Sequence, residues 1–205
     1  SPQMTATRPR RHGKRAFLAL LFILAAQGRA DDAGWRLTIV PSFESAPPVN
    51  RPIPGSRTAR LAVARHAGHG ELEYATTQGA LRHAQDLAAA HTREWIAAAK
   101  VEERRDADGV ITRVVITSDD PLLPAIAASP GLYDRYEPVL GDGFYVVVPD
   151  RGTIALYPRL AAEGIPPRDA TALLEVNRLA TYPVSREVFR ATRRGLVADG
   201  VLTED

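Results

Sequence analysis

The sequence predicts an α+β domain with a mainly antiparallel sheet and helices packed on one face of it. Several segments alternate apolar and polar residues with a period of two, which is typical of half-buried strands. Two longer segments repeat apolar residues at spacings of three and four, which is typical of amphipathic helices. Strands and helices do not alternate regularly, as a doubly wound parallel sheet would require.

In the N-terminal half, residues 35–40 and 57–65 are predicted strands. Between them, residues 42–56 contain four prolines and are predicted to form a stiff loop or linker. Gly68-His69-Gly70 predicts a turn, and the best helical pattern runs over residues 77–100. We therefore expect an N-terminal strand and Pro-rich linker over residues 31–56, followed by a single α+β domain over residues 57–205.

The C-terminal half starts with a polar turn around Gly109 and a β-branched strand over residues 110–117. Further helices are predicted over residues 121–128, 130–139 and 168–182.

Two hairpins complete the predicted sheet. One joins residues 144–148, expected to be a central strand, to residues 153–157 through the four-residue turn Pro149-Asp150-Arg151-Gly152. The tail over residues 187–201 has two β-prone runs around Arg193-Arg194-Gly195, which favours a hairpin over a single basic helix.

Residues 1–30 have the features of a bacterial secretory signal peptide. Their apolar run, Ala16 to Ala26, has 11 residues, whereas a membrane-spanning helix needs about 20. Basic residues precede the run, and Gly28-Arg29-Ala30 follows it with small residues at the cleavage positions. We expect cleavage before Asp31 and a periplasmic or secreted protein with no membrane span after cleavage. The Sec route is favoured, with Arg10-Arg11 leaving the twin-arginine route as an alternative.

Composition excludes several classes of function. Six of the 26 basic residues and none of the 24 acidic residues lie before residue 31, so the expected mature chain is mildly acidic. Such a chain has no electrostatic reason to bind nucleic acid. The chain has no cysteine, which excludes disulfides, thiolate catalysis and thiolate zinc sites.

Three pieces of the C-terminal third resemble one bacterial family. They are the turn Gly141-Asp142-Gly143 leading into the strand Val146-Val147-Val148-Pro149-Asp150-Arg151, the strand Ile154-Ala155-Leu156, and Pro183-Val184-Ser185 followed by Val188-Phe189. Through them, residues 132–200 resemble the C-terminal part of the YtpQ-like family of uncharacterised proteins. The resemblance implies an α+β fold and an antiparallel C-terminal hairpin, and it brings no activity, cofactor or catalytic residue.

One cluster has the residue types of a metal site: His66, His69, Glu71 and Glu73. If residues 69–73 are extended, His69, Glu71 and Glu73 point to the same side. Imidazole with carboxylate suits zinc or another divalent ion, the only cofactor that the sequence suggests. The alternative interpretation is a solvated strand face beside a glycine turn.

Two further pairs are candidates. Asp119 and Asp120 follow a predicted strand, where paired carboxylates can serve acid–base catalysis, although helix capping by Asp120 is the simpler explanation. His83 and His91 share one face of the long helix and are candidates for a common ligand or for packing.

The sequence has no nucleophile elbow and no phosphate-binding glycine loop. The tail arginines are interpreted as a charged edge that blocks strand pairing: Arg186, Arg190, Arg193 and Arg194. We expect a non-catalytic exported domain that binds an envelope protein or a small ligand. One alternative is a metal-assisted envelope hydrolase that uses the His66/His69/Glu71/Glu73 cluster, and another is a structural partner in a complex.

Overall fold

The computed structural model describes residues 34–43, 45–159 and 164–203, and the predicted signal peptide lies outside them. In these ranges the chain forms four helices: α1 Gln78–Ala98, α2 Pro124–Ala127, α3 Pro130–Leu140 and α4 Pro167–Leu179. It also forms ten strands: β1 Arg36–Pro41, β2 Asn50–Pro52, β3 Ala59–Gly68, β4 Glu71–Tyr74, β5 Lys100–Arg105, β6 Ile111–Thr117, β7 Tyr145–Asp150, β8 Thr153–Tyr157, β9 Glu187–Thr192 and β10 Gly195–Val201.

The strands form two antiparallel sheets, which confirms the predicted α+β class. In the first sheet, β3 is central: β1 pairs with one side of it, and β2 and β4 share the other. The second sheet has the order β10-β9-β7-β8-β6-β5. The central position predicted for β7 and the predicted tail hairpin of β9 and β10 are confirmed. Within the described ranges, no helix is both long and apolar enough to cross a membrane.

The segment expected to be a stiff loop or linker takes part in the first sheet. Its residues 50–52 form β2 and pair with residues 60–62 of β3. On either side of β2, Val49 and Ile53 are buried in the core. Proline leaves the backbone extended, and an edge strand tolerates the missing N–H, so a Pro-rich segment can still pair here. Residues 34–205 accordingly form one compact unit.

Two local differences from prediction have simple causes. No strand was predicted over residues 100–105, because the sequence KVEERR lacks apolar alternation, and in the structure strand β5 is exposed throughout. It forms by backbone pairing with β6 at the edge of the sheet. In the β7–β8 hairpin, Asp150 pairs with Thr153, so the turn has two residues rather than four. The Asp150 carboxylate accepts a hydrogen bond from the Gly152 amide at 3.0 Å.

Apolar side chains cover both faces of the second sheet. Val146 and Val148 enter the larger core, which also contains residues of the first sheet and of α1, α2 and α3. Val147 points to the opposite face and packs in a smaller core with Leu173 and Leu174 of α4. Helix α4 therefore covers the outer face of this sheet.

A buried carboxylate fixes α4 and the edge strand together. Asp169 of α4 is paired with Arg104 of β5 at 2.5 Å and with Arg113 of β6 at 3.2 Å. Burying a carboxylate is costly unless it is paired, so the two guanidinium groups make this position tolerable. The neighbouring Tyr157 is also buried, and this burial raises the pKa of its phenol.

A second buried carboxylate joins the two sheets. Glu187 of β9 accepts hydrogen bonds from the Ser56 hydroxyl at 2.5 Å and from the Arg57 amide at 2.7 Å. Beside it, the Ala198 amide of β10 donates to the Pro54 carbonyl at 2.9 Å. We call this set the loop–hairpin junction, because it fixes the β2–β3 loop (residues 53–58) to the β9–β10 hairpin.

Helices α1 and α3 approach closely at a single glycine. The hydroxyls of Thr92 and Ser129 are hydrogen-bonded to each other, and they lie 2.5 and 3.1 Å from the Ala88 carbonyl. A Cβ atom on Gly131 would lie 2.7 Å from the Thr92 Cβ. Real Cβ atoms do not approach so closely, so this contact requires glycine.

We predict that Gly131→Ala lowers the free energy of unfolding by about 1–3 kcal/mol, because the added methyl group forces α1 and α3 apart. Urea unfolding followed by circular dichroism measures the change. The matched control is Gly79→Ala near the start of α1, where the nearest atom to an added Cβ is the Thr77 Oγ1 at 4.0 Å. In this control, the free energy of unfolding should rise by up to about 1 kcal/mol, because alanine favours a helix more than glycine does. A Gly131→Ala protein as stable as the wild type would contradict the close contact.

Candidate functional site

The structure brings together two sequence candidates that lie far apart in the chain. His66, near the end of β3, places its Nε2 3.1 Å from an oxygen of Asp120, which follows β6. The other Asp120 oxygen is 2.9 Å from a guanidinium nitrogen of Arg36 on β1. We call Arg36, His66 and Asp120 the Asp120 cluster. It joins the first sheet to the loop that follows β6.

Asp120 does not have the predicted helix-capping role, because the helix expected over residues 121–128 begins at Pro124, with Leu123 as its N-cap and no side-chain capping bond. The Asp120 carboxylate instead accepts a hydrogen bond from the Leu122 amide at 2.8 Å, and the Asp120 carbonyl accepts one from Leu123 at 2.9 Å. These bonds close the turn before α2. The neighbouring Asp119 is exposed and makes no such contact in the described ranges. The predicted carboxylate pair is therefore divided, with Asp120 in a structural cluster and Asp119 in solvent.

The four candidate metal ligands do not converge. His69 lies in the turn between β3 and β4 with a φ of 52°, so residues 69–73 are not extended as the metal site requires. Glu73 is paired with Arg65 at 2.8 Å, and His66 faces Asp120. Glu71 is exposed at the start of β4. Among the described residues, no three His, Asp or Glu side chains are close enough to hold a metal ion.

The two helix histidines also remain separate. The His91 Nδ1 lies 2.8 Å from the Glu94 carboxylate, one turn further along the same helix. His83 is half-buried, two turns before His91. The pairing of His91 with Glu94 is a surface contact of the kind that stabilises helices by a few tenths of a kcal/mol.

A cleft of about 1070 Å³ lies between the two sheets and is the best candidate for a binding site. Its floor is apolar and includes Leu37 of β1, Leu61 of β3 and Leu196 of β10. Helices α1 and α3 form one wall. Ligand sites are typically concave, with an apolar lining and a few polar groups that converge on it. The polar lining consists of these side chains: Arg51, Gln85, Tyr133, Glu137, Asp142, Thr192, Arg193 and Arg194.

One polar group in the cleft is a linked set of three side chains. The Tyr133 hydroxyl donates a hydrogen bond to Asp142 at 2.7 Å, and this bond raises the pKa of the phenol. Arg193 interacts with the same phenol, which raises the pKa of the guanidinium. Tyr133 is therefore held protonated, between an acceptor and a cation.

The other two arginines of the cleft have no carboxylate partner among the residues that the structure describes. Within the described part of the chain, no carboxylate oxygen lies within 4 Å of a guanidinium nitrogen of Arg51 or Arg194. Arg194 is in the β9–β10 turn, where its amide donates to the Thr192 hydroxyl at 3.2 Å and Gly195 has a φ of 113°. The turn is thus a fixed support for its two arginines.

The cleft has no local signal in the sequence. Its lining comes from seven helices and strands and from four of the connections between them. Arg193 and Arg194 were interpreted as part of a charged edge, but the structure places both at the cleft. The sequence does show a pair of arginines in a tight glycine turn. Whether such a pair faces solvent or a binding cleft depends on the tertiary structure.

Comparison of the chain with protein-family models, with curated proteins and with solved structures gave no match.

We predict that Asp120→Ala lowers the free energy of unfolding by about 1–2 kcal/mol, because it removes the partner of Arg36 and the acceptor for the Leu122 amide. Thermal and urea unfolding measure the effect. Asp119→Ala, one residue away and exposed, should change stability by less than about 0.5 kcal/mol. Equal effects of the two substitutions would show that the Asp120 cluster contributes nothing to stability.

Proposed function

We propose that this protein is an exported, non-catalytic binding domain that holds a small ligand in the cleft between its two sheets. The observation that carries the proposal is the cleft, which has an apolar floor and a limited set of polar side chains converging on it. Export is part of the proposal and rests on the leader sequence of residues 1–30.

Binding is favoured over catalysis by the arrangement of the polar groups. The acids at the cleft are Glu137 and Asp142, and Asp142 is occupied as the acceptor for Tyr133. His66 has a carboxylate partner on another element, but it belongs to the Asp120 cluster and does not line the cleft. The cleft thus has hydrogen-bond donors and cations around an apolar surface. These groups can bind a ligand.

Hydrogen bonds between separate segments of the chain hold the cleft in shape. Its β2 wall and its β9–β10 wall are joined at the loop–hairpin junction, where Glu187 is buried. A site that is already shaped loses less conformational entropy when it binds. A small molecule therefore suits the cleft better than a segment of another protein, which would need a longer open groove.

We predict that the wild-type protein binds N-phenyl-1-naphthylamine, a neutral apolar fluorescent probe, and that Gln85→Trp weakens this binding about tenfold or more. Gln85 is on the α1 wall, so the indole would occupy space above the apolar floor. Fluorescence titration measures the affinity, and circular dichroism checks the fold.

Asp86→Trp is the control, since Asp86 is the next residue of α1, is exposed and does not line the cleft. It should bind the probe as the wild type does. The proposal fails if the wild type does not bind the probe. It also fails if both tryptophan variants bind the probe with wild-type affinity, because the probe would then bind outside the cleft.

A further inference from the structure

We infer that the cleft selects an amphipathic small molecule with an oxyanion head, either a carboxylate or a phosphate, and an apolar body. This inference rests on the proposed function and adds the chemical class of the ligand.

The charge at the cleft is unevenly compensated. Three arginines line it, against the two carboxylates Glu137 and Asp142. The pKa of Arg193 is raised, first by its contact with Tyr133 and then by the nearby Glu137 and Asp142 carboxylates. Arg51 and Arg194 remain as cations with no carboxylate of the described chain within 4 Å. A ligand that completes the charge balance here is an anion.

The chemistry of the two free cations specifies the kind of anion. A guanidinium group presents a planar set of N–H donors that matches a carboxylate or a phosphate with two parallel hydrogen bonds. Arg194 lines the cleft from the β9–β10 turn, and Arg51 lines it from β2. An oxyanion in the cleft therefore has guanidinium donors from both of these segments.

The apolar floor specifies the rest of the ligand. Leu37, Leu61 and Leu196 come from three strands of the two sheets and lie at the base of the cleft. The cleft volume of about 1070 Å³ is slightly above the usual range for small-molecule sites, about 300–1,000 Å³. Burying an alkyl or ring system on this floor gives affinity in proportion to its area, while the head fixes its orientation.

The test compares ligands of one chain length that differ only in the head. Displacement of N-phenyl-1-naphthylamine is measured with dodecanoate, dodecyl phosphate, dodecanol and dodecylammonium, all below their micelle concentrations. We expect at least one of the two anions to displace the probe at a concentration about tenfold lower than dodecanol does. Dodecylammonium should be the weakest of the four. Displacement by dodecanol that equals or exceeds displacement by both anions overturns the inference.

Variants connect that preference to the two arginines. In the double variant Arg51→Gln/Arg194→Gln, we expect both anions to lose their advantage over dodecanol, with the displacing concentrations of all ligands compared within the same variant. Both side chains are exposed, and circular dichroism checks the fold. Arg168→Gln, an exposed position on α4 outside the cleft, should keep the anion preference. A preference that survives in the double variant overturns the assignment.

The outcomes separate this inference from the proposed function. If the neutral probe does not bind at all, the proposed function itself fails. If the probe binds but the anions show no preference, only the oxyanion assignment fails. A final arm uses vesicles of phosphatidylglycerol. Binding to these vesicles without displacement by monomeric dodecanoate or dodecyl phosphate would overturn the assignment of a free small molecule in favour of a lipid surface.

Discussion

The position of the β9–β10 hairpin against the first sheet depends on a buried carboxylate at the place where the two sheets meet. Glu187 is on β9, in the second sheet, and its two oxygens accept hydrogen bonds from Ser56 and Arg57 in the loop before β3, in the first sheet. A buried charge without partners would cost several kcal/mol, so the loop has to remain where it satisfies the carboxylate. The pairing of Ala198 with Pro54 extends the same contact to β10. Between them, these bonds fix how the β9–β10 hairpin faces the first sheet.

The proposed binding site follows from that constraint. The hairpin that carries Glu187 and Ala198 ends in the turn with Arg193 and Arg194, so the junction that joins the sheets also positions the cations of the cleft. The opposite wall is supported by the contact of Gly131 with Thr92, which brings α3 close to α1. The cleft is therefore a space left between well-packed elements, and its cations are attached to rigid backbone.

Most of the secondary structure was predictable because it follows from local patterning. The period of two predicted β1 and β3, a β-branched run predicted β6, and turn residues predicted the β7–β8 hairpin. The spacing of three and four predicted α1 and α4. Strand β5 was missed, since an exposed edge strand needs no apolar face. The cleft was not predictable, because the residues that line it, such as Leu37, Gln85 and Arg194, are distant from one another in the chain. The resemblance of residues 132–200 to the YtpQ-like family stays a prediction.

Amide hydrogen exchange of Arg57, measured relative to Ala155 at the centre of the second sheet, tests the role of Glu187 most directly. In the wild type, the Arg57 amide should exchange slowly, because it donates to a buried carboxylate at 2.7 Å. In Glu187→Gln, a neutral acceptor replaces the charged one, and the Arg57 amide should exchange about tenfold faster relative to Ala155. An unchanged ratio of the two rates would show that Glu187 does not hold the sheets together.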